Sequence, residues 1–243
     1  MNKKAIQDSI KKLREISKQR KFPQTLDVSI NLSKIDLKKN PNQKIDLFLQ
    51  LPKEIGKKPK ICAFVGKELE TKAKIFDKVI LSEEFEALAK DKKALKKLAR
   101  EYDYFVAQAN LMADIGKKFG KVLAPIGKMP NPKAGCIVPP TADLEPLAKR
   151  LASTARLQSR DQPSIKTVAG TESMSDEDLT ENINLIFNTI THELPQEKAN
   201  IKSLLIKFTM SKSVEVTEKG PKFKEEAKKE WKPTFLIRKS KQL

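Results

Sequence analysis

The chain has 243 residues, with 49 Lys and Arg against 31 Asp and Glu and a formal net charge of +18 at neutral pH. That length supplies one or two domains with a sizeable core, and 39% hydrophobic with 33% charged residues is the composition of a globular protein with a heavily charged surface. No apolar run approaches the ~20 residues that span a bilayer and the N-terminus carries no signal-peptide apolar region, so the expectation is a cytoplasmic protein with no membrane partner.

Ile6, Ile10, Leu13 and Ile16 recur at helical spacing with lysines opposite, which predicts an amphipathic helix over residues 3–19 that Pro23 prevents from continuing. Leu26, Val28, Ile30 and Leu32 alternate with polar residues as in a half-buried strand, and Ile45, Leu47, Leu49 and Leu51 repeat the pattern after a polar connector. One helix and two strands cannot bury a core alone. The stretch PKEIGKKP, residues 52–59, is a break in composition and a candidate hinge. Beyond it, short apolar strands at 60–65, 78–82 and 104–109 alternate with helices near 67–75, 83–101 and 110–119. The run Ile61-Cys62-Ala63-Phe64-Val65 is apolar without alternation, as in a strand covered on both faces. Repeated βα units imply a parallel sheet in a three-layer domain.

Residues 120–140, GKVLAPIGKMPNPKAGCIVPP, crowd glycine, proline and lysine together and predict a long, ordered, extended loop. A closing helix over 144–152 and alternating strands near 155–159 and 165–169 follow. Ser175 with the acids after it reads as a helix start, and Leu179, Ile183, Ile186, Phe187 and Ile190 carry that helix to Leu194, before Pro195. Strands at 201–210 and 214–216 mirror the N-terminal piece. The simplest assembly is α/β with two domains: a discontinuous, split α+β domain from residues 1–57 and 156–218, with an antiparallel sheet and two helices, and an inserted three-layer α/β/α Rossmann-like domain over 58–155. Residues 219–243 form a basic tail in which Trp231, Phe235 and Ile237 could anchor on a partner.

As a phosphate cradle the 120–140 stretch fails. A Walker loop ends in Gly-Lys followed by Ser or Thr, whereas Gly127-Lys128 precedes Met129 and Gly120-Lys121 precedes Val122. Cys62 and Cys136 belong to no CxxC pair and, with the single His192, supply no usual zinc site; Cys62 reads as a core residue and His192 as a surface one. One histidine also leaves nucleophile–base arrangements poorly supplied. No catalytic constellation, metal or cofactor follows. The charge excess points instead to a polyanion: residues 1–21 carry eight Lys or Arg against two acids, and residues 219–243 carry nine against three. With aromatics at only 6%, phosphate contacts are expected to outweigh stacking.

Four stretches carry a resemblance. GKVLAPIGKMPNPKAG closely resembles the signature of the ribosomal protein L-1 family, found on the mobile stalk of the large subunit. Lys21-Phe22-Pro23-Gln24-Thr25-Leu26-Asp27-Val28 resembles the family's first-strand motif. Arg160-Asp161 with the strand to Gly170-Thr171 resembles its re-entry segment, and Ile206-Lys207-Phe208-Thr209-Met210-Ser211 its Thr-Met-Gly motif. The wording of Asp36-Leu37-Lys38-Lys39 and Val168-Ala169-Gly170-Thr171-Glu172 leans toward the archaeal and eukaryotic branch, the compact length favours the archaeal one, and the likeness runs from about residue 3 to 218.

The resemblance implies the same split α+β domain with an inserted Rossmann-like one. It also implies binding to large-subunit rRNA at the stalk, help in releasing deacylated tRNA from the exit site, repression of translation through the protein's own mRNA, a ribosomal location and a monomer when free. By motif, it implies RNA contacts at Phe22, Thr25, Arg160, Asp161, Thr209, Met210 and Ser211, with Lys21, Lys128 and Lys133 as weaker candidates. Ser211 stands where the family usually has glycine, and Ala124 and Ile126 replace the Gly and Arg of its Gly-Pro-Arg-Gly turn. The rival from another class is a nucleotide-binding enzyme using the strand ends of the inserted domain.

Overall fold

A computed structural model describes residues 2–35, 44–159, 162–217 and 220–223. Helix α1 (Lys3–Ile16) starts where the Asn2 side chain accepts the Lys4 amide at 3.1 Å, and it buries Ala5, Ile6, Ser9, Ile10 and Leu13. Ser9 is tolerated in that stripe because its hydroxyl donates to the Ala5 carbonyl at 2.7 Å. Strand β1 (Thr25–Leu32) comes next, with every second residue buried.

The partners of β1 come from the far end of the chain: β8 (Ser164–Thr171) on one side and β9 (Ile201–Phe208) on the other, both antiparallel. With β10 (Val214–Thr217) and β11 (Gly220–Phe223) they make a five-stranded sheet in the order β11-β10-β9-β1-β8. Helix α7 (Asp176–Glu193) begins at Ser175, whose hydroxyl accepts the Asp178 amide at 3.1 Å, and three acids in its first turn match the helix dipole. Helices α1 and α7 cover one face of the sheet. Ile6, Ile10, Leu13, Ile183, Ile186 and Ile190 pack there against Leu26, Val28, Ile30, Ile206 and Phe208 in one core. Each such fully buried side chain contributes about 1.5–3 kcal/mol. The other face carries the partly exposed Thr25, Asp27, Ser29 and Asn31.

The inserted domain is a parallel sheet in the order β4-β3-β5-β6, formed by β3 (Ile61–Val65), β4 (Lys78–Leu81), β5 (Tyr104–Gln108) and β6 (Ile137–Val138). Helices α2 (Glu70–Ala73) and α6 (Glu145–Ala152) close one core with Ala63, Val65 and Val106. On the opposite face α3 (Phe85–Lys90), α4 (Lys92–Glu101) and α5 (Met112–Ile126) enclose a second. At its centre the Phe64 ring stacks on Phe105 and Phe119 at 5.6 and 5.3 Å and meets the edge of Phe85 at 5.7 Å. The two cores lie on opposite faces because β3 is buried at every position.

The structure corrects several expectations. The Gly120–Pro140 stretch is not an extended loop: α5 continues through Gly120 and Pro125 to Ile126, because Ile115, Phe119 and Leu123 keep a buried helical stripe. Pro125 sits exposed in the last turn, where the missing hydrogen bond and the ring clash disturb only the end of the helix. Gly127, at φ 76°, then ends the helix, its amide reaching the Ala124 carbonyl at 2.9 Å while the Lys128 amide reaches that of Leu123 at 3.1 Å. The stretch goes on to a 3-10 turn at Pro132–Ala134 and to β6. The helix expected over 83–101 is two helices, since the Asp91 carboxylate caps α4 by accepting the Lys93 and Ala94 amides. Residues 220–223, assigned to the tail, form β11; residues 224–243 lie outside the described residues.

A two-stranded antiparallel ribbon joins the two parts: β2 (Asp46–Gln50) pairs with β7 (Thr154–Gln158), Leu49 opposite Ala155. Arg156 fastens this ribbon. Its guanidinium donates to both oxygens of Asp46 at 3.0 Å, donates to the Gly127 carbonyl of the inserted domain at 2.6 Å and lies over the Phe48 ring. Tyr104 adds a second tie, donating to the Thr154 carbonyl at 2.9 Å, and its burial pushes the phenol up to about 12. At the first crossing, the buried Asn182 side chain accepts the Lys53 amide at 3.2 Å and donates to the Ala169 carbonyl at 2.8 Å.

Candidate nucleic-acid interface

The ends of β1, β8 and β9 meet at one edge of the split domain, and a buried glutamine joins them. Gln24 is only 1% exposed, yet every polar atom of its amide is used. Its carbonyl oxygen accepts the Met210 amide at 3.2 Å. Its nitrogen donates to Ser17 Oγ at 3.1 Å and to Glu172 Oε2 at 3.2 Å. The backbone adds a further link, the Glu172 amide donating to the Gln24 carbonyl at 2.8 Å. One side chain thus gathers the end of α1, the turn after β8 and the turn after β9. A buried amide with satisfied partners fixes geometry in a way an apolar side chain would not.

On this frame the strand-end residues line up. The Thr25 and Thr209 hydroxyl oxygens are 2.9 Å apart, and the Thr209 amide donates to the Thr25 carbonyl at 3.1 Å. Ser211 closes the turn: its hydroxyl accepts the Phe208 amide at 2.8 Å, and its own amide donates to the Phe208 carbonyl at 3.0 Å. Ser211 does not require a left-handed backbone, so a side chain fits where the family usually has glycine. That hydroxyl is engaged within the turn.

The apolar side chains here face outward. Phe22 is 47% exposed and Met210 60% exposed, two of the few large apolar residues on the described surface. Nothing in core packing accounts for them; Met210 is held out by a turn whose amide bonds Gln24, and Phe22 stands in the segment just before that glutamine. Lys18, Arg20, Lys21 and Lys212 are exposed in the adjoining segments. Arg14 is committed elsewhere, bound to Asp176 at 2.7 Å and to the Glu172 and Met174 carbonyls at 2.8 and 2.7 Å, where it staples α1 to the start of α7. On the neighbouring open face, Asp27 is raised above the usual carboxylate range by partial burial, which Lys207 opposes.

The structure brings Phe22, Thr25, Thr209, Met210 and Ser211, with Lys21, to one end of one sheet. Arg160 and Asp161 lie outside the described residues. Lys128 and Lys133 sit on the inserted domain instead: the Lys128 ammonium donates to the Tyr102 carbonyl at 2.6 Å, while Lys133 is exposed on the 3-10 turn. Sequence reasoning passed over Gln24, although it lies inside the first-strand motif. Its signal is a polar side chain just before an alternating apolar run. Between the domains lies a cleft of about 580 Å³, bordered by Thr25, Thr167 and Val168 on one side and by Tyr104, Gly127 and Met129 on the other. No cluster of three or more potential metal ligands occurs among the described residues, and no described helix is long and apolar enough to cross a membrane.

An antiparallel α+β domain interrupted by a parallel α/β domain defines a class of two-domain ribosomal proteins. Residues 13–212 match the model of the Ribosomal protein L1p/L10e family, and the chain belongs to that family. It is 40% identical over 213 residues to the "Large ribosomal subunit protein uL1" of Methanothermobacter thermautotrophicus, an alignment covering 87% of this chain and 98% of the relative. The protein of the same description from Nanoarchaeum equitans is 41% identical over 214 residues, covering 86% and 98%. That of Thermoplasma acidophilum is 38% identical over 217 residues, covering 89% and 97%. These relatives are archaeal, as the motif wording and the compact length together imply. Membership makes the chain a structural constituent of the cytoplasmic ribosome and not an enzyme, which removes the nucleotide-enzyme reading.

Proposed function

We propose that the protein binds large-subunit rRNA at the mobile stalk through the strand-end edge of its split domain. The carrying observation is the outward-facing Met210, on a turn whose amide is held by Gln24, with the outward-facing Phe22 in the segment just before that glutamine. Exposed apolar groups on a rigid frame suit contact with sugar and base faces, and the paired threonines suit 2′-hydroxyls and phosphates. Arg160 and Asp161 join this set by motif, Arg160 pairing with phosphate. Through the stalk the protein assists release of deacylated tRNA from the exit site, with Lys128 and Lys133 as candidate contacts on the inserted domain. The same RNA edge serves repression of its own mRNA.

The two bodies, residues 1–57 with 156–218 and residues 58–155, move about the two crossings near 52–59 and 154–156, and the free protein is a monomer. Small-angle scattering that finds one rigid shape with and without RNA would count against this motion. For the site, Thr209→Ala with Met210→Ala is compared with Lys96→Ala and Lys97→Ala on the exposed face of α4. The first pair should weaken binding to a stalk RNA by about 1–3 kcal/mol, or roughly fivefold to 150-fold, and the second pair by far less. Equal losses would overturn the site. Co-sedimentation with large subunits tests the ribosomal setting directly.

A further inference from the structure

Helix α4 carries a charge arrangement that its own domain leaves unanswered. Lys92, Lys93, Lys96, Lys97 and Arg100 are all exposed, while Leu95, Leu98 and Ala99 are buried. At 3.6 residues per turn the five cations fill one arc of about 140° opposite the buried side, about 12 Å long and with no apolar residue in it. Lys92 and Lys96, Lys93 and Lys97, and Lys96 and Arg100 stand four residues apart, a spacing at which like charges repel. No acid stands in the first turn, so Lys92 and Lys93 also oppose the helix dipole. None of the five forms an ion pair among the described residues, and the neighbouring Glu101 faces Lys60 at 3.9 Å. The charge is also one-sided. Helices α3, α4 and α5 on this face of the parallel sheet carry nine Lys or Arg against three acids, whereas α2 and α6 on the other face carry three against two. On α5, which packs against α4, Lys117 and Lys121 are exposed on the side away from Ile115, Phe119 and Leu123. Neither α3 nor α4 borders the cleft between the domains.

We propose that the outer face of α4 is a second RNA-binding surface, which holds the phosphate backbone of a double-helical RNA segment distinct from the RNA at the strand-end edge. Phosphates set among the five cations relieve their mutual repulsion and release the counterions condensed on the RNA. Phe85, Phe105 and Phe119 of this layer are buried, so no ring is offered to an unstacked base and the contact is with backbone alone. An acidic protein surface is the poorer match. Protein interfaces place apolar and aromatic groups at their centre and are depleted in lysine, whereas this arc is four lysines and an arginine. The surface belongs to the inserted domain and does not depend on the reading of the strand-end edge. With both, one molecule joins two RNA segments.

The test uses the full-length chain with Lys92, Lys93, Lys96, Lys97 and Arg100 changed to Gln. A control changes Lys67, Lys72, Lys74, Lys149 and Arg150 to Gln, exposed cations at or beside the helices of the opposite layer, so that both variants lose the same charge. Glutamine keeps the helix propensity of lysine and removes the repulsion, so the Tm of the α4 variant should not fall. Binding of a labelled RNA duplex unrelated to the stalk is measured between about 50 and 200 mM salt, with stalk RNA in saturating excess to occupy the strand-end edge. The α4 variant should bind this duplex more weakly than the control does. If about three of its cations meet phosphates, the advantage of the unaltered chain shrinks about 40-fold over that salt range. Changing the four lysines to arginine should preserve binding, and Thr209→Ala/Met210→Ala should bind the duplex as the unaltered chain does. An α4 variant with undiminished duplex binding, or a control with an equal loss, overturns the proposal. So does polyglutamate that binds the unaltered chain through this face where the duplex does not, which would assign the face to an acidic protein.

Discussion

Thr25 and Thr209 hold each other across the ends of neighbouring strands, hydroxyl to hydroxyl at 2.9 Å, with the Thr209 amide on the Thr25 carbonyl at 3.1 Å. The Thr25 amide also donates to the Thr209 hydroxyl at 3.2 Å, so the pair is a closed unit at the exposed edge. Thr25→Val and Thr209→Val should each lower stability by about 1 kcal/mol and weaken RNA binding severalfold. Combined, they should lose less than the two single effects summed, because one interaction is removed in both. Strict additivity in RNA affinity would show that the hydroxyls act independently.

Gln24 carries more consequence than its exposed neighbours. Gln24→Leu keeps the bulk but strands the Met210 amide and the Glu172 carboxylate, two groups this side chain now satisfies. A loss of about 2 kcal/mol is expected, a fall in Tm of about 4–8 °C for a chain of this size. RNA affinity should fall as well, although the side chain is buried. A variant with the lowered Tm and unaltered RNA affinity would show that the turn keeps its shape without the glutamine.

Arg156 connects the β2–β7 ribbon to the inserted domain through the Gly127 carbonyl. Lysine keeps the charge but loses the planar fork that reaches Asp46 and Gly127 together. Arg156→Lys should broaden the distance distribution between dyes placed on the two domains, with little change in the melting of either core. An unaltered distribution would mean that the Tyr104 tie is enough to set the arrangement.

Alkali should weaken the inserted domain first. Burial raises the Cys62 thiol to about 12 and the Cys136 thiol to about 11, from an ordinary value of 9.0. The folded thiols keep protons that the unfolded chain releases, so their contribution is complete below pH 9 and declines as pH rises toward the folded values. With both thiols involved the slope approaches about 2.7 kcal/mol per pH unit. Thiol labelling should be slow at neutral pH and accelerate as this domain opens. Replacing both cysteines with alanine should flatten the slope; an equally steep one would assign the alkaline loss to other groups.

Much of this architecture is legible in the residues because the periods are clean. The stripe Ile6, Ile10, Leu13 and the alternation Leu26, Val28, Ile30, Leu32 define α1 and β1. The unbroken run Ile61–Val65 marks the central parallel strand for the same reason. Pro125 misleads: in the last helical turn it interrupts little, and the stripe through Phe119 and Leu123 decides the conformation. Asp91 is inconspicuous because a cap inside a lysine-rich helical stretch looks like one more charged residue. At the site, motif wording picks out the exposed Phe22, Thr209 and Met210. The role of Gln24 arises only when strands distant in sequence share an edge, and no local pattern encodes that.

The pairing of β1 with β8 and β9 also sets an order of events during synthesis. Residues 61–152 form a contiguous body whose parallel sheet needs nothing from either end, whereas Leu26 must wait for Gly170 and then Phe208 to be made. As the chain leaves its ribosome, the central body can close first while α1 and β1 remain without their sheet, their apolar faces open to water. The edge formed by Thr25 and Thr209 comes into being only when almost the whole chain has been translated. A nascent fragment therefore lacks this edge, and only the finished molecule presents it.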